Sequence, residues 1–307
     1  MNKMINDIIS KNLEGEKITA FDIGAKGGVL NLKKIKDHLT YFGFEPNQKE
    51  FNKLVQSNEV TYFPFALGGT NGKENFHITK HSSYSSFLQL DQQNFEKHFG
   101  LMKDYKIWKE GMEIEKTISI NVHTLDHVLS DMNMNRIDFL KLDTQGTELE
   151  IMKGAKNSLT NHKIGVIFAE FNFLKIYKNQ NSFSELDIYL NQLGYECIDC
   201  RFYPNSVKQL NLSNKIYDYP RYSSGGDAVF IPKLEHSDLA QKDIFKIGLI
   251  VAQLGYLSVA KKLFKQCQLN ENEIQVLFKY MHTFSLKKIG IELVPPFIYK
   301  LIKTIIK

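Results

Sequence analysis

Cysteine is scarce in this sequence, with three thiols, Cys197, Cys200 and Cys267, in 307 residues. An odd and small number rules out a disulfide framework, and no histidines stand at zinc spacing around them. Cys197-Ile-Asp-Cys200 has C-x-x-C spacing, but it falls in a predicted late strand rather than at a helix start, and it reads as ordinary core. Long apolar runs are absent as well. None reaches the length of a bilayer-spanning helix, and the first seven residues lack the apolar stretch of a signal peptide, so a soluble cytoplasmic protein is expected. Charge of one sign is not concentrated either. The net charge is +5, with lysines scattered among acidic residues, so nucleic acid is not an expected partner. A hydrophobic content of 43% still allows a large core.

What is present is an alternation of strands and helices. Residues 18–23 read as a short buried strand that stops at Gly24, followed by a helix to about residue 38, a strand at 41–45, and a helical spacing of Phe51, Leu54 and Val55. Residues 60–66 make a third strand, and the alternation in 74–79 suits a hairpin partner for it. Residues 81–116 are polar, carry the lone Trp108 and show no long periodic segment, which predicts a long loop, either functional or disordered. Strand character returns at 117–122, 137–142 and 164–169, with helices at 125–132, 147–153 and 183–193. Residues 195–199 and 227–231 can close the sheet as an antiparallel pair. The expected class is therefore α/β, a doubly wound, mostly parallel, Rossmann-like sheet over residues 1–234. From 235 to 307 helical periodicity takes over, at 244–266 and 271–287, which predicts a C-terminal helical appendage.

The turn after the first strand, Asp22-Ile-Gly-Ala-Lys-Gly-Gly28, is where a ligand can approach the backbone closely. A dinucleotide fingerprint starting at Gly24 would need glycines where Lys26 and Val29 stand, so a pyrophosphate cradle is poorly supported. S-adenosylmethionine has no pyrophosphate but does carry an ammonium and a sulfonium, which acidic groups near the turn suit. Asp22, Gly24, Ala25 and Gly28 are the candidate cofactor contacts of this turn. Glu45, ending the second strand, can accept hydrogen bonds from both ribose hydroxyls.

These segments, together with Gly43-Phe-Glu-Pro-Asn47, Thr124-Leu-Asp126 and the run from Asp138 through Asp143-Thr-Gln-Gly-Thr-Glu148 to Ala155, resemble the FkbM family of methyltransferases. The resemblance covers roughly residues 18–232. It implies a class I fold, S-adenosylmethionine as donor and a hydroxyl acceptor on a sugar, glycan or secondary metabolite. Many members carry Glu where this sequence has Gln145.

Methyl transfer requires an acceptor oxygen aligned behind the sulfonium methyl in a water-poor site. Two candidates for catalysis emerge. His81 offers an imidazole able to take a hydroxyl proton near neutral pH, or it is surface. Asp143 stands at a strand end facing the cofactor crevice, where it can contact the donor, orient the acceptor or cap a helix. Ser85 and Ser86 belong to a segment resembling a Ser-Ser-Leu element of the family and are candidate substrate contacts. Glu148 and Glu170 are further acidic candidates on that side, each with a structural reading beside it. No metal cluster assembles from local spacing, and no metal is expected. The rival functions are an RNA or protein methyltransferase and a non-catalytic cofactor-binding scaffold. Finally, residues 295–307 place isoleucines, leucine and phenylalanine on one helical side and lysines on the other. That side would bury within the chain, in a homo-oligomer, or against anionic lipid at the inner membrane face.

Overall fold

The computed structural model describes residues 2–27, 32–100, 105–202, 224–236 and 238–281. Gly28 and the terminal 295–307 segment lie outside them. The described strands are β1 (Ile18–Ile23), β2 (Leu39–Phe44), β3 (Val60–Phe63), β4 (Ala66–Leu67), β5 (Gly72–Thr79), β6 (Ile114–His123), β7 (Ile137–Leu142), β8 (Ile164–Asn172), β9 (Tyr195–Phe202) and β10 (Gly225–Pro232). Seven of them form one sheet in the order β3-β2-β1-β7-β8-β10-β9. Its neighbours pair in parallel except β10, which runs antiparallel to both β8 and β9. This is the doubly wound, mostly parallel sheet that the alternating pattern predicts. The chain builds outward from β1 through β2 to β3, then returns to lay β7 on the other side of β1. The order therefore reverses between β1 and β7, where open α/β sheets leave a crevice at the strand ends.

Both sheet faces are covered because alternate strand residues are apolar on both sides. Ile18, Ala20 and Phe139 enter one core cluster with the N-terminal helix Asn2–Leu13 and the helix Gln241–Gln253. Phe21, Ile23, Leu140 and Leu142 enter the other, with Leu125, Ile151 and Leu190 from the helices opposite. The N-terminal helix had no sequence reading. Its Ile5, Ile8 and Ile9 stripe is buried against the sheet.

The helices after residue 235 are part of this packing. Helix Gln241–Gln253 buries Phe245 through Ala252, and its Lys246 reaches Glu16 at 2.8 Å and Asp138 at 3.3 Å. The single helix expected over 244–266 is instead two, Gln241–Gln253 and Leu257–Gln266. Gly255, at φ +102°, turns the chain between them.

Four other expectations change. The third strand ends at Phe63; Ala66–Leu67 belongs to a separate sheet of order β4-β6-β5. Residues 72–79 accordingly pair with β6, not with β3, because antiparallel pairing with the ten-residue β6 gives them a far longer ladder than the four-residue β3. The segment read as an aperiodic loop contains helices Gln92–Phe99 and Tyr105–Gly111. Phe95 and Phe99 from the first of them join Met112, Ile176 and Tyr177 in a small separate core, with Tyr84 and Trp108 packed against it. Residues 33–38 form a 3-10 helix rather than a longer α-helix.

Candidate functional site

The ends of β1, β2 and β7 meet at the reversal point. Gly24 and Ala25 both donate their N–H to the Phe44 carbonyl, at 3.0 and 3.1 Å, and Asp143 donates its N–H to the Ile23 carbonyl at 3.0 Å. Gly24 has φ +86°, and a Cβ there would overlap the Asp143 carbonyl oxygen. Only glycine allows this backbone-on-backbone approach. At Gly27, φ +87° also demands glycine, but a Cβ there would meet nothing.

Above this floor lies a crevice of about 160 Å³, lined by Gly24, Lys26, Glu45, Ser83, Ser85, Asp143 and Gln145 among others. Its apolar wall comes from Phe44, Leu67, Phe76 and Phe87. Glu45 is 6% exposed. One of its oxygens accepts the Asn47 N–H at 2.8 Å, and Asn47 in turn caps the short helix Gln48–Phe51. Burial raises the Glu45 carboxyl to about 7, helped by nearby Glu50 and opposed by the Asn47 N–H and Lys26.

Asp22 lies beneath this lining, 1% exposed. Tyr41 donates its hydroxyl to one Asp22 oxygen at 2.7 Å and Lys141 its ammonium to the other at 3.2 Å. Burial pushes the Asp22 carboxyl up, against the pull of Lys141 and Tyr41. Burial works to lower Lys141, but Asp22 and Asp143 outweigh it, and the ammonium is held above its ordinary value. Lys141 also reaches Asp143 at 3.2 Å, so one cation links a buried carboxylate to one facing the crevice.

Gln145 adopts φ +59°, a left-handed conformation that ordinary residues hold only when surroundings over-determine it. Its amide donates to Glu170 at 2.7 Å and to Asp143 at 3.3 Å, and its side-chain oxygen accepts the Tyr177 hydroxyl at 3.2 Å. Its backbone carbonyl accepts the Ser86 hydroxyl at 2.9 Å.

The structure thus brings together Gly24, Glu45, Ser85 and Asp143 around one crevice, with Ala25, Asp22 and Ser86 supporting it from behind. Glu148 takes a different position. Its carboxylate accepts the Thr144 N–H, the Thr144 hydroxyl and the Gly146 N–H at 2.9, 3.0 and 3.3 Å, holding the turn that carries Gln145. Burial pushes this carboxyl up, against those same donors. Glu170 stands behind Gln145 and lines a separate small cleft with Glu148. His81 is not among the crevice residues; it lines another cavity with Tyr84 and Trp108.

Sequence reasoning missed Lys26, whose ammonium donates to Ser83 at 2.8 Å, and Ser82, which donates to Glu50 at 2.9 Å. These bonds tie the serine turn Ser82–Tyr84 to the glycine turn and to the short helix Gln48–Phe51 that follows β2. The only signal for them was the density of serine after residue 81. Among the described residues, no group of three or more histidine, cysteine or acidic side chains is placed to hold a metal. No helix among them is long and apolar enough to cross a membrane.

The Methyltransferase FkbM domain model matches residues 22–197. Among characterised proteins, the 2-O-methyltransferase NoeI of Sinorhizobium fredii (strain NBRC 101917 / NGR234) is 22% identical over 174 residues, 55% of this chain and 69% of that protein. Among solved structures, the methyltransferase FkbM from Methylobacillus flagellatus KT aligns at 14% identity and a TM-score of 0.39, over 70% of this chain. The match spans only 43% of that longer chain. Magnesium protoporphyrin IX methyltransferase (ChlM) from Synechocystis PCC 6803, solved with bound SAM, aligns at 8% identity and a TM-score of 0.34, over 75% of this chain and 78% of its own.

Proposed function

The chain belongs to the FkbM methyltransferase family, and from that premise we propose that it transfers the methyl group of S-adenosylmethionine to a hydroxyl of a sugar, glycan or small hydroxylated metabolite. The observation that carries the donor is Glu45. It follows β2 directly and lines the crevice, with one oxygen fixed by the Asn47 N–H and the other side of the carboxylate suited to the hydroxyls of a ribose. The rest of the crevice fits the same molecule. Gly24 keeps the floor closed yet free of side chain, and Lys26 offers an ammonium to a carboxylate.

S-adenosylmethionine supplies an electrophilic methyl on a sulfonium. The chain's own residues must orient the acceptor, keep water out and take up a proton. Phe44, Leu67, Phe76 and Phe87 form the apolar wall that excludes water. Asp143 is gripped by Lys141 and Gln145, which fixes its carboxylate toward the crevice. In this reading it orients the acceptor hydroxyl and takes its proton as the methyl transfers. The similarity to the Sinorhizobium 2-O-methyltransferase supports oxygen as the accepting atom.

Calorimetry with S-adenosylhomocysteine tests the donor. Wild type should bind, and Glu45→Ala should weaken binding by about tenfold or more, the cost of a lost charge-assisted hydrogen bond. Unchanged affinity in Glu45→Ala would sink the assignment. Incubation with labelled donor and a panel of acceptors then separates the substrate classes. Transfer to RNA or protein but to no saccharide or small alcohol would replace the acceptor half of the reading; donor binding without transfer to anything would make the chain a scaffold.

A further inference from the structure

We propose that the cavity behind the serine turn, lined by Lys80, His81, Tyr84, Ile107, Trp108 and Gly111, is a saccharide subsite that holds the sugar ring next to the one methylated. The proposal rests on the sugar-acceptor reading above and adds where the acceptor is gripped.

Position is the first argument. The turn Ser82–Tyr84 has two sides: Ser82, Ser83 and Ser85 line the crevice, whereas His81 and Tyr84 line this second cavity of about 350 Å³. One short turn therefore separates the two spaces, and a ligand longer than one ring can lie across it.

Chemistry is the second. A pyranose ring presents flat C–H faces and a rim of hydroxyls, so its receptor needs rigid aromatic surface with hydrogen-bonding groups at the edge. His81 and Tyr84 lie with ring centroids 5.1 Å apart. Trp108 packs on Phe99 at 6.1 Å, and both Tyr84 and Trp108 are backed by the aromatic core of this region. Gly111 brings its backbone directly under these rings. His81 donates its N–H to the Gly111 carbonyl at 2.9 Å, and a Cβ on Gly111 would crowd Tyr84 Cε2 at 3.2 Å and His81 Cβ at 3.3 Å. Ile107, 71% exposed, adds apolar surface at the mouth. At the edge Lys80 is paired with Glu113 at 2.7 Å and reaches Glu110 at 4.0 Å. Those carboxylates cancel its charge, which disfavours phosphate and leaves donors and acceptors for hydroxyls.

Trp108 is the sole tryptophan of the sequence, so its fluorescence reports this cavity alone. The full chain is titrated with trisaccharides built from hexoses, deoxyhexoses and N-acetylhexosamines, and Trp108 emission is followed. The expected result is saturable change with at least one of them. Tyr84→Ala and the exposed Ile107→Asp should weaken that binding by about tenfold, while S-adenosylhomocysteine affinity stays at the wild-type value in both. Ile107→Asp changes a solvent-facing residue and guards against misfolding as the explanation. No emission change with any trisaccharide at 10 mM (roughly the weak limit of specific sites), or equal binding by wild type and Ile107→Asp, would overturn the proposal. Failure of wild type to bind S-adenosylhomocysteine would instead strike the donor reading, and a saccharide response of Trp108 would still support the subsite.

Discussion

The side-chain nitrogen of Gln145 donates to Glu170 at 2.7 Å and, more weakly, to Asp143 at 3.3 Å, so a neutral amide separates two carboxylates at the end of β7. A glutamate at this position would face both of them. Its carboxyl would be pushed above the ordinary range by like charge. A protonated carboxyl can still donate one hydrogen bond, so Gln145→Glu should resemble wild type near pH 5. The stability contributed by that raised group is lost as pH rises through its folded value. A melting temperature lower by about 2–4 °C at pH 8.5 than at pH 5.5, relative to wild type, corresponds to a cost of roughly 1 kcal/mol. A shift of equal size at both pH values would reject the like-charge explanation.

Among the described residues, Lys141 is the one cation within ion-pair distance of the buried Asp22 carboxylate. Lys141→Met removes it and leaves a charge 1% exposed with Tyr41 alone. Breaking one partner of a buried pair costs about 3–5 kcal/mol, which chemical denaturation will read. Adding Asp22→Asn removes the stranded charge while an amide oxygen still accepts from Tyr41. The double variant should therefore regain much of the loss, and a double variant no better than the single one would show that packing rather than charge sets the cost.

Glu45 gives the site its pH dependence. Its folded value of about 7 stands above the ordinary 4.5 because burial disfavours the carboxylate. The stability this group contributes is present below about 4.5 and is lost as pH rises through about 7. Donor binding has the opposite sign. Hydroxyls that hydrogen-bond the carboxylate favour its ionised form, so S-adenosylhomocysteine should bind several-fold more tightly at pH 8 than at pH 6 and release a proton near pH 7. Calorimetry in buffers of different ionisation enthalpy measures that proton. Glu45→Gln should abolish it, and a pH-independent affinity in wild type would remove Glu45 from the donor contacts.

The sheet was legible in the sequence because β1, β2 and β7 are short apolar runs closed by Gly, Pro or Asp and β8 is a longer apolar run, and their connections follow right-handed crossovers. The crevice floor was legible for the same reason: a glycine after a buried strand has a local cause. The second sheet was not, since β4 has two residues and its pairing with β6 depends on contacts across about fifty residues of chain. The helices within 81–116 were hidden by being short and aromatic, with a core completed by Ile176 and Tyr177 from beyond β8. Side-chain direction was also invisible. His81 and Ser83 are two residues apart, yet they line different cavities because a 3-10 turn begins between them. Glu148 was open to either a site or a structural reading, and one of its carboxylate oxygens holds the turn at Thr144 and Gly146.

Two glycines of the same turn should respond differently to a single methyl group. Gly24→Ala meets both a left-handed φ and the Asp143 carbonyl, so relief requires β1 and β7 to separate where the crevice floor is made. Gly27→Ala meets only the left-handed φ, with no atom near the added carbon, and should cost about 1–2 kcal/mol. Gly24→Ala should exceed that cost and also weaken S-adenosylhomocysteine binding by at least tenfold, whereas Gly27→Ala should leave affinity closer to wild type. Denaturation and calorimetry on both variants decide it. Equal losses of stability and affinity would mean that the backbone conformation of the turn, and not the contact between Gly24 and Asp143, controls the floor of the site.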